Sequence, residues 1–158
     1  MSLSRQRRRP PRLEQVFQAY DPPLYFSTKV TWKRLKFLAC HIAHDAFAAR
    51  ARLQADMGIA IGRYILMPDH FHVFISIPSE HGLSEAMKQL EQSVTKALRV
   101  ERRGLVVWEP GFFDRLLRSD ESYEQAWEYV RLNPVRAGLV ECPDDWPYQG
   151  EIVRIDRA

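Results

Sequence analysis

Cysteine is scarce in this chain. Cys40 and Cys142 lie far apart and belong to no CxxC pair. That excludes a zinc ribbon or a stapled secreted scaffold, and both are read as reduced thiols. Long apolar runs are missing too, since none approaches the roughly 18 residues that span a bilayer. The first residues are basic but carry neither the apolar segment nor the small-residue cleavage site of a secretory signal. A cytoplasmic protein with no membrane partner is therefore expected. There is no Gly-rich GK[ST] loop of the kind that cradles nucleotide phosphates. Internal repeats and linkers are also absent.

Positive charge is thin outside one place. The net charge is +3, and residues 1–12 hold Arg5, Arg7, Arg8, Arg9 and Arg12 with no acid, which leaves the remainder at −2. An arm of this kind either neutralises phosphates or remains a solvated tail. What is present in quantity is core material. The 158 residues are 46% apolar and 27% charged, enough for one domain with a real interior. We divide the chain into a basic arm (1–20), a single domain (21–150) and a tail (151–158).

Residues 24–31 are β-branched and aromatic and predict a strand. Leu35, Leu38, Ile42, Phe47 and Leu53 among alanines predict a helix over 34–55, stopped at Gly58. Runs 59–67 and 70–77 flank Pro68-Asp69, a turn pair, and predict a hairpin. Leu83, Met87, Leu90, Val94 and Leu98 mark a second amphipathic helix over 83–100, with Ser84 as its N-cap. Residues 108–117 are expected to form a fourth strand, and about 120–132 a third helix, with capping-box spacing at Ser122-Tyr-Glu-Gln125. This order predicts an α+β, ferredoxin-like (split βαβ) fold. Its four-stranded antiparallel sheet would carry helices on one face, leave the other face free for a site, and add a C-terminal helix bearing a tyrosine.

Side chains alternate along a strand, so His70 and His72 share one face while Phe71, Val73 and Ile75 point toward the helices. Two adjacent imidazoles make half of a metal site and leave coordination positions open. On the third helix, Tyr123, Trp127 and Val130 form a core stripe. Tyr129 and Asn133 lie just beyond it, one turn apart. Tyr129 is thus expected to be half-buried with its hydroxyl near a site, or else an amphipathic surface residue. Asn133-Pro134-Val-Arg-Ala-Gly138 also has the pattern of a short helix with Asn133 as N-cap. His41, His44 and His81 belong to no motif.

Two segments carry a resemblance: Tyr64-Ile-Leu-Met-Pro-Asp-His-Phe-His-Val-Phe-Ile75 and Tyr129-Val-Arg-Leu-Asn-Pro-Val-Arg-Ala-Gly-Leu-Val140. Together they resemble the single-tyrosine HUH transposases, in particular the REP-associated tyrosine transposases. Trp108-Glu-Pro-Gly-Phe-Phe-Asp-Arg-Leu-Leu-Arg-Ser119 and Asp144-Asp-Trp-Pro-Tyr148 resemble the same branch, so the likeness runs over roughly residues 20 to 150. It implies a nuclease core in which His70 and His72 hold a divalent metal, Mg²⁺ or Mn²⁺, and no nucleotide cofactor is needed. It further implies Tyr129 as nucleophile and Asn133 as a third ligand. The implied substrate is single-stranded DNA, often an imperfect hairpin, cleaved and rejoined through a phosphotyrosine. Apart from the resemblance, a monomer or homodimer, nucleoid-associated when on DNA, is expected. Arg7, Arg8, Arg9, Lys96, Arg131 and Arg136 are candidate phosphate contacts, or simply a solvated basic surface. Trp108 and Phe112 are candidates for base stacking or for the core. The competing reading is a catalytically silent protein of the same fold that binds single-stranded nucleic acid. Another is a metal-dependent hydrolase with water as nucleophile. Tyr123 is the alternative nucleophile, disfavoured by its place on the core stripe.

Overall fold

A computed structural model describes residues 22–118 and 122–155. The basic arm with Arg7, Arg8 and Arg9 therefore lies outside the described residues. Strand β1 (Leu24–Val30) leads through a 3-10 turn at Trp32–Arg34 to helix α1 (His41–Asp56). Strands β2 (Ala60–Met67) and β3 (His70–Ser76) form the hairpin, followed by helix α2 (Glu80–Leu98) and strand β4 (Phe113–Leu116). Helix α3 (Tyr123–Arg131), the one-turn helix α4 (Asn133–Arg136), a 3-10 turn at Pro143–Asp145 and strand β5 (Gln149–Glu151) complete the described chain. All pairings are antiparallel, in the order β4-β1-β3-β2-β5.

The sheet has five strands rather than four. The added strand, β5, pairs Gln149 with Ile65 and Glu151 with Arg63. It crosses the boundary expected between domain and tail. Its Gln-Gly-Glu sequence has no apolar alternation to announce a strand. Strand β4 is shorter than expected, because Trp108 contributes only an isolated bridge to Thr31 before the chain turns at Gly111.

Helices α1 and α2 cover one face. Their core takes in Phe71, Val73 and Ile75 of β3 with Leu83, Met87, Leu90, Val94 and Leu98 of α2. The α2 stripe is as expected, but the N-cap is Ser79, whose hydroxyl accepts from the Gly82 N–H at 3.1 Å. Helix α1 begins at His41, not near residue 34, and Leu35, Ile42 and Leu53 are exposed. The buried face is Ala43, Phe47, Ala48, Ala51 and Gln54. Alanine allows close approach to the sheet and α2, so the small residues win the core face over the larger ones. Trp108 and Phe112 belong to this side as well. Phe112 is buried, and the Trp108 indole stacks edge-on to Phe71 and donates to Thr95 Oγ1 at 2.9 Å.

The opposite face is not free. Helix α3 and Trp146 pack over Leu24, Ile65, Met67 and Phe74, with Tyr123 and Val130 inside a second core. The helices therefore lie on both faces of the sheet. Strand β3 runs from beneath α3 at Phe74 to the half-buried stretch carrying His72 and His70.

Candidate active site

The site begins at the tight turn Pro68-Asp69. Met67 pairs directly with His70 across it. The Thr31 N–H donates to Asp69 O at 3.0 Å and the Leu38 N–H to Pro68 O at 2.9 Å, so the loop after β1 grips the turn. The histidine rings stand on one face with centroids 4.7 Å apart and planes 73° apart.

Each ring is oriented through its Nδ1. His70 Nδ1 bonds Asp69 Oδ1 at 2.8 Å, and His72 Nδ1 bonds Thr28 Oγ1 at 2.8 Å from the neighbouring strand, where Thr28 is the register partner of His72. Asp69 in turn accepts from Arg34 Nε at 3.0 Å. Arg34 reaches it from a backbone with φ of 56°, next to Lys33 at 54°, left-handed conformations that non-glycine residues adopt at a cost. Burial opposes the Asp69 carboxylate, but its bonds to His70 and Arg34 prevail and hold its pKa below the usual value. An ionised Asp69 accepts, so His70 Nδ1 carries the hydrogen and the Nε2 lone pair is left for a ligand. His72 can take the same tautomer by donating to Thr28.

Both imidazoles are kept neutral. Burial, opposed by Asp69, lowers His70. Burial first, then the proximity of His70, Arg136 and Arg34, lower His72 to about 3. The His72 ring also stacks on Phe26 with centroids 5.0 Å apart. Neutral imidazoles with free Nε2 atoms are the donor form a divalent ion requires. Among the described residues no group of three or more His, Cys, Asp or Glu converges, so these side chains by themselves make no closed metal cage.

Helix α3 starts at Ser122, whose hydroxyl accepts from the Gln125 N–H at 3.2 Å, as the capping-box spacing predicts. Residues 119–121, where its start was placed, lie outside the described residues. Tyr129 is 69% exposed, not half-buried as expected. The Arg136 guanidinium lies 4.2 Å from its ring centroid. Asn133 is not an N-cap. Leu132 before it is helical and makes no side-chain cap, and Asn133 Oδ1 instead accepts from Arg136 Nη2 at 2.5 Å. Continuity of α3 into α4 through Leu132 is what frees the amide from capping. Tyr123 is buried, its hydroxyl accepts the Arg63 N–H at 2.9 Å, and burial pushes its pKa up to about 12. It holds structure together and is no exposed nucleophile.

The chain matches a family model described as "Transposase IS200 like" over residues 25–133. The chain belongs to the IS200-like transposase family. It is 24% identical over 98 residues to the REP-associated tyrosine transposase of Escherichia coli K12, a match covering 61% of this chain and 57% of that protein. It thus spans little more than half of that relative's length. A Haemophilus influenzae protein assigned to the same branch is 25% identical over 136 residues, covering 79% of this chain and 77% of its own. A REP-associated tyrosine transposase whose structure was solved bound to a REP hairpin shares the fold. Its TM-score is 0.64 at 18% identity, covering 87% of this chain and 91% of that one.

The remaining candidate contacts of this family member separate in space. Arg131 is committed to Glu128 at 2.8 Å and lies 3.8 Å from Asp144. Lys96 is exposed on α2, in the helix layer across the sheet from the histidines. Arg136 alone among the described basic candidates lies against Tyr129. Thr28, Asp69 and Arg34 were missed by sequence reasoning. The signal for Thr28 was its place on β1 opposite His72, visible only once strand register is known. No helix among the described residues is long and apolar enough to cross a membrane.

Proposed function

We propose that this chain is a metal-dependent enzyme that cuts and rejoins single-stranded, hairpin-forming DNA through a phosphotyrosine on Tyr129. The observation that carries the reading is the anchoring of both Nδ1 atoms, by Asp69 and Thr28 at 2.8 Å each, which leaves two neutral Nε2 donors on one strand face. Partnered imidazoles of this kind are the ordinary form of a histidine metal site. Membership of a transposase family and the hairpin-bound structural relative support DNA as substrate. We read the sheet, β5 apart, as a ferredoxin-like core.

Under this reading His70 and His72 hold Mg²⁺ or Mn²⁺, with Asn133 Oδ1 as a further donor. When bound, the ion supplies charge neutralisation at a non-bridging phosphate oxygen. The chain's own groups do the rest. Tyr129 Oη attacks phosphorus and the phenol proton passes to solvent. The bond from phosphorus to the 3′ oxygen breaks, and that oxygen leaves with a proton as a 3′ hydroxyl. One phosphodiester has become one phosphotyrosine, so a second 3′ hydroxyl can reverse the exchange and join a new strand. Exposure of Tyr129 suits this role, since its partner is a macromolecule.

The test is incubation with end-labelled single-stranded hairpin DNA from beside its own gene, with Mn²⁺ or Mg²⁺, alongside Tyr129→Phe. A metal-dependent protein–DNA adduct is expected from the wild type and none from Tyr129→Phe. Cleavage that survives in Tyr129→Phe without an adduct would make water the nucleophile and refute the reading. Binding without cleavage would favour a catalytically silent binding protein.

A further inference from the structure

Arg136 joins two parts of the site, Tyr129 and Asn133, that lie seven and three residues before it. Its Nη2 donates to Tyr129 O at 2.6 Å and to Asn133 Oδ1 at 2.5 Å, while the guanidinium carbon lies 4.2 Å from the Tyr129 ring centroid. We propose that Arg136 is a catalytic residue that clamps a non-bridging oxygen of the phosphate attacked by Tyr129. This rests on Tyr129 being the nucleophile.

Three observations converge on it. The first is position. A phosphorus poised for attack lies about 3–3.5 Å from the phenol oxygen, at the rim of the ring the guanidinium covers. The clamp assigns a non-bridging oxygen of that phosphate to the same guanidinium, which lies over the ring. The second is donor capacity. Arginine has five N–H donors in a fixed fork. The two recorded bonds both leave from Nη2, so the Nη1 and Nε donors are available, and a fork of this shape matches phosphate. The third is charge. Among the described residues no carboxylate pairs with Arg136, whereas neighbouring Arg131 has Glu128 and Asp144. A cation stacked on an exposed tyrosine and holding only neutral acceptors is complete when an anion joins it. Its two neutral bonds also serve the approach, because they fix the fork against the nucleophile before DNA arrives.

The alternative is a staple that merely ties α3 to α4, and the experiment separates the two. Wild type, Arg136→Ala and Arg136→Lys are given a synthetic single-stranded oligonucleotide carrying the hairpin beside the gene, with Mn²⁺. The cut position is mapped with wild type, and a second oligonucleotide carries an uncharged methylphosphonate there. Single-turnover adduct formation, oligonucleotide Kd and thermal midpoint are measured. Arg136→Ala is expected to slow adduct formation about 100-fold, with Kd changed only a few-fold and the midpoint preserved. The methylphosphonate should slow wild type far more than it slows Arg136→Ala, because in the variant one of the two cationic partners of that charge, the guanidinium, is already gone and only the ion is left to miss it. Arg136→Lys should recover part of the rate and carries the same comparison if the alanine variant does not fold. A rate within about threefold of wild type, or an equal methylphosphonate penalty in both proteins, would reduce Arg136 to a staple. A wild type that forms no adduct would remove Tyr129 as nucleophile, and the clamp with it.

Discussion

His72 illustrates how much a single side chain's surroundings decide. It stacks on Phe26, bonds Thr28 and feels the positive charges of Arg136 and Arg34. Its folded pKa of about 3 lies well below the 6.5 of a free imidazole. Between those values the unfolded chain holds a proton that the folded chain refuses, so folding stability contributed here is full above pH 6.5 and is lost as pH falls toward 3. For the metal-free protein, urea unfolding at pH 7.5 and 5.5 should show wild type losing about 1 kcal/mol more than His72→Leu. Equal losses would mean that His72 titrates as though exposed. The histidine pair was legible because strand alternation needs no tertiary information. Its partners were not: Asp69 reads as a turn residue and Thr28 as a strand residue until register sets them beside the rings. Tyr129 was legible as lying off the core stripe, but its degree of exposure depends on which helix face the sheet accepts.

Helix α3 is fastened to the sheet at an irregularity. Register in the β2–β3 pair shifts between Ile61 and Tyr64, and the Tyr123 hydroxyl accepts the Arg63 N–H at that point. The Arg63 guanidinium lies 5.3 Å from the Tyr123 ring and 5.8 Å from that of Trp127, and meets Glu124 at 2.6 Å. Gly62 makes this approach possible, since a Cβ there would collide with the Tyr123 hydroxyl and lie 2.7 Å from Ile155 Cδ1. Gly62→Ala should therefore cost roughly 1–3 kcal/mol in chemical denaturation, as overpacking does. Through displacement of α3, it should also slow adduct formation more than it weakens DNA binding. An unchanged denaturation midpoint would show that the tyrosine gives way without loss. The elements with strong periodicity or a definite turn, α2 and the Pro68-Asp69 hairpin, could be read from the chain. Those whose faces are chosen by fit could not. Ala43 and Ala51 displace Ile42 and Leu53 from the α1 interface, and Leu132 carries α3 into α4 where the Asn-Pro pair signals a fresh start.

For the molecule as a whole, charge is divided between the arm and the rest. Residues 1–12 hold five arginines, and the remainder of the chain sums to −2. Single-strand binding that draws on the arm should depend steeply on salt, with a slope near 0.7 per neutralised phosphate. Deleting residues 1–12 should flatten the slope of log K against log salt by up to about 3 while leaving the urea midpoint in place. An unchanged slope would assign the electrostatic contact to the domain alone.

The flanks of the sheet bear on how copies of the chain meet. The outermost strands, β4 and β5, are four and three residues long. A ladder that ends in such short rungs offers an incoming chain few free amides to template upon. Growth of the sheet from molecule to molecule, the route to fibrous aggregates, is thereby disfavoured at both borders. Self-association would then fall to side-chain surfaces rather than to the sheet borders.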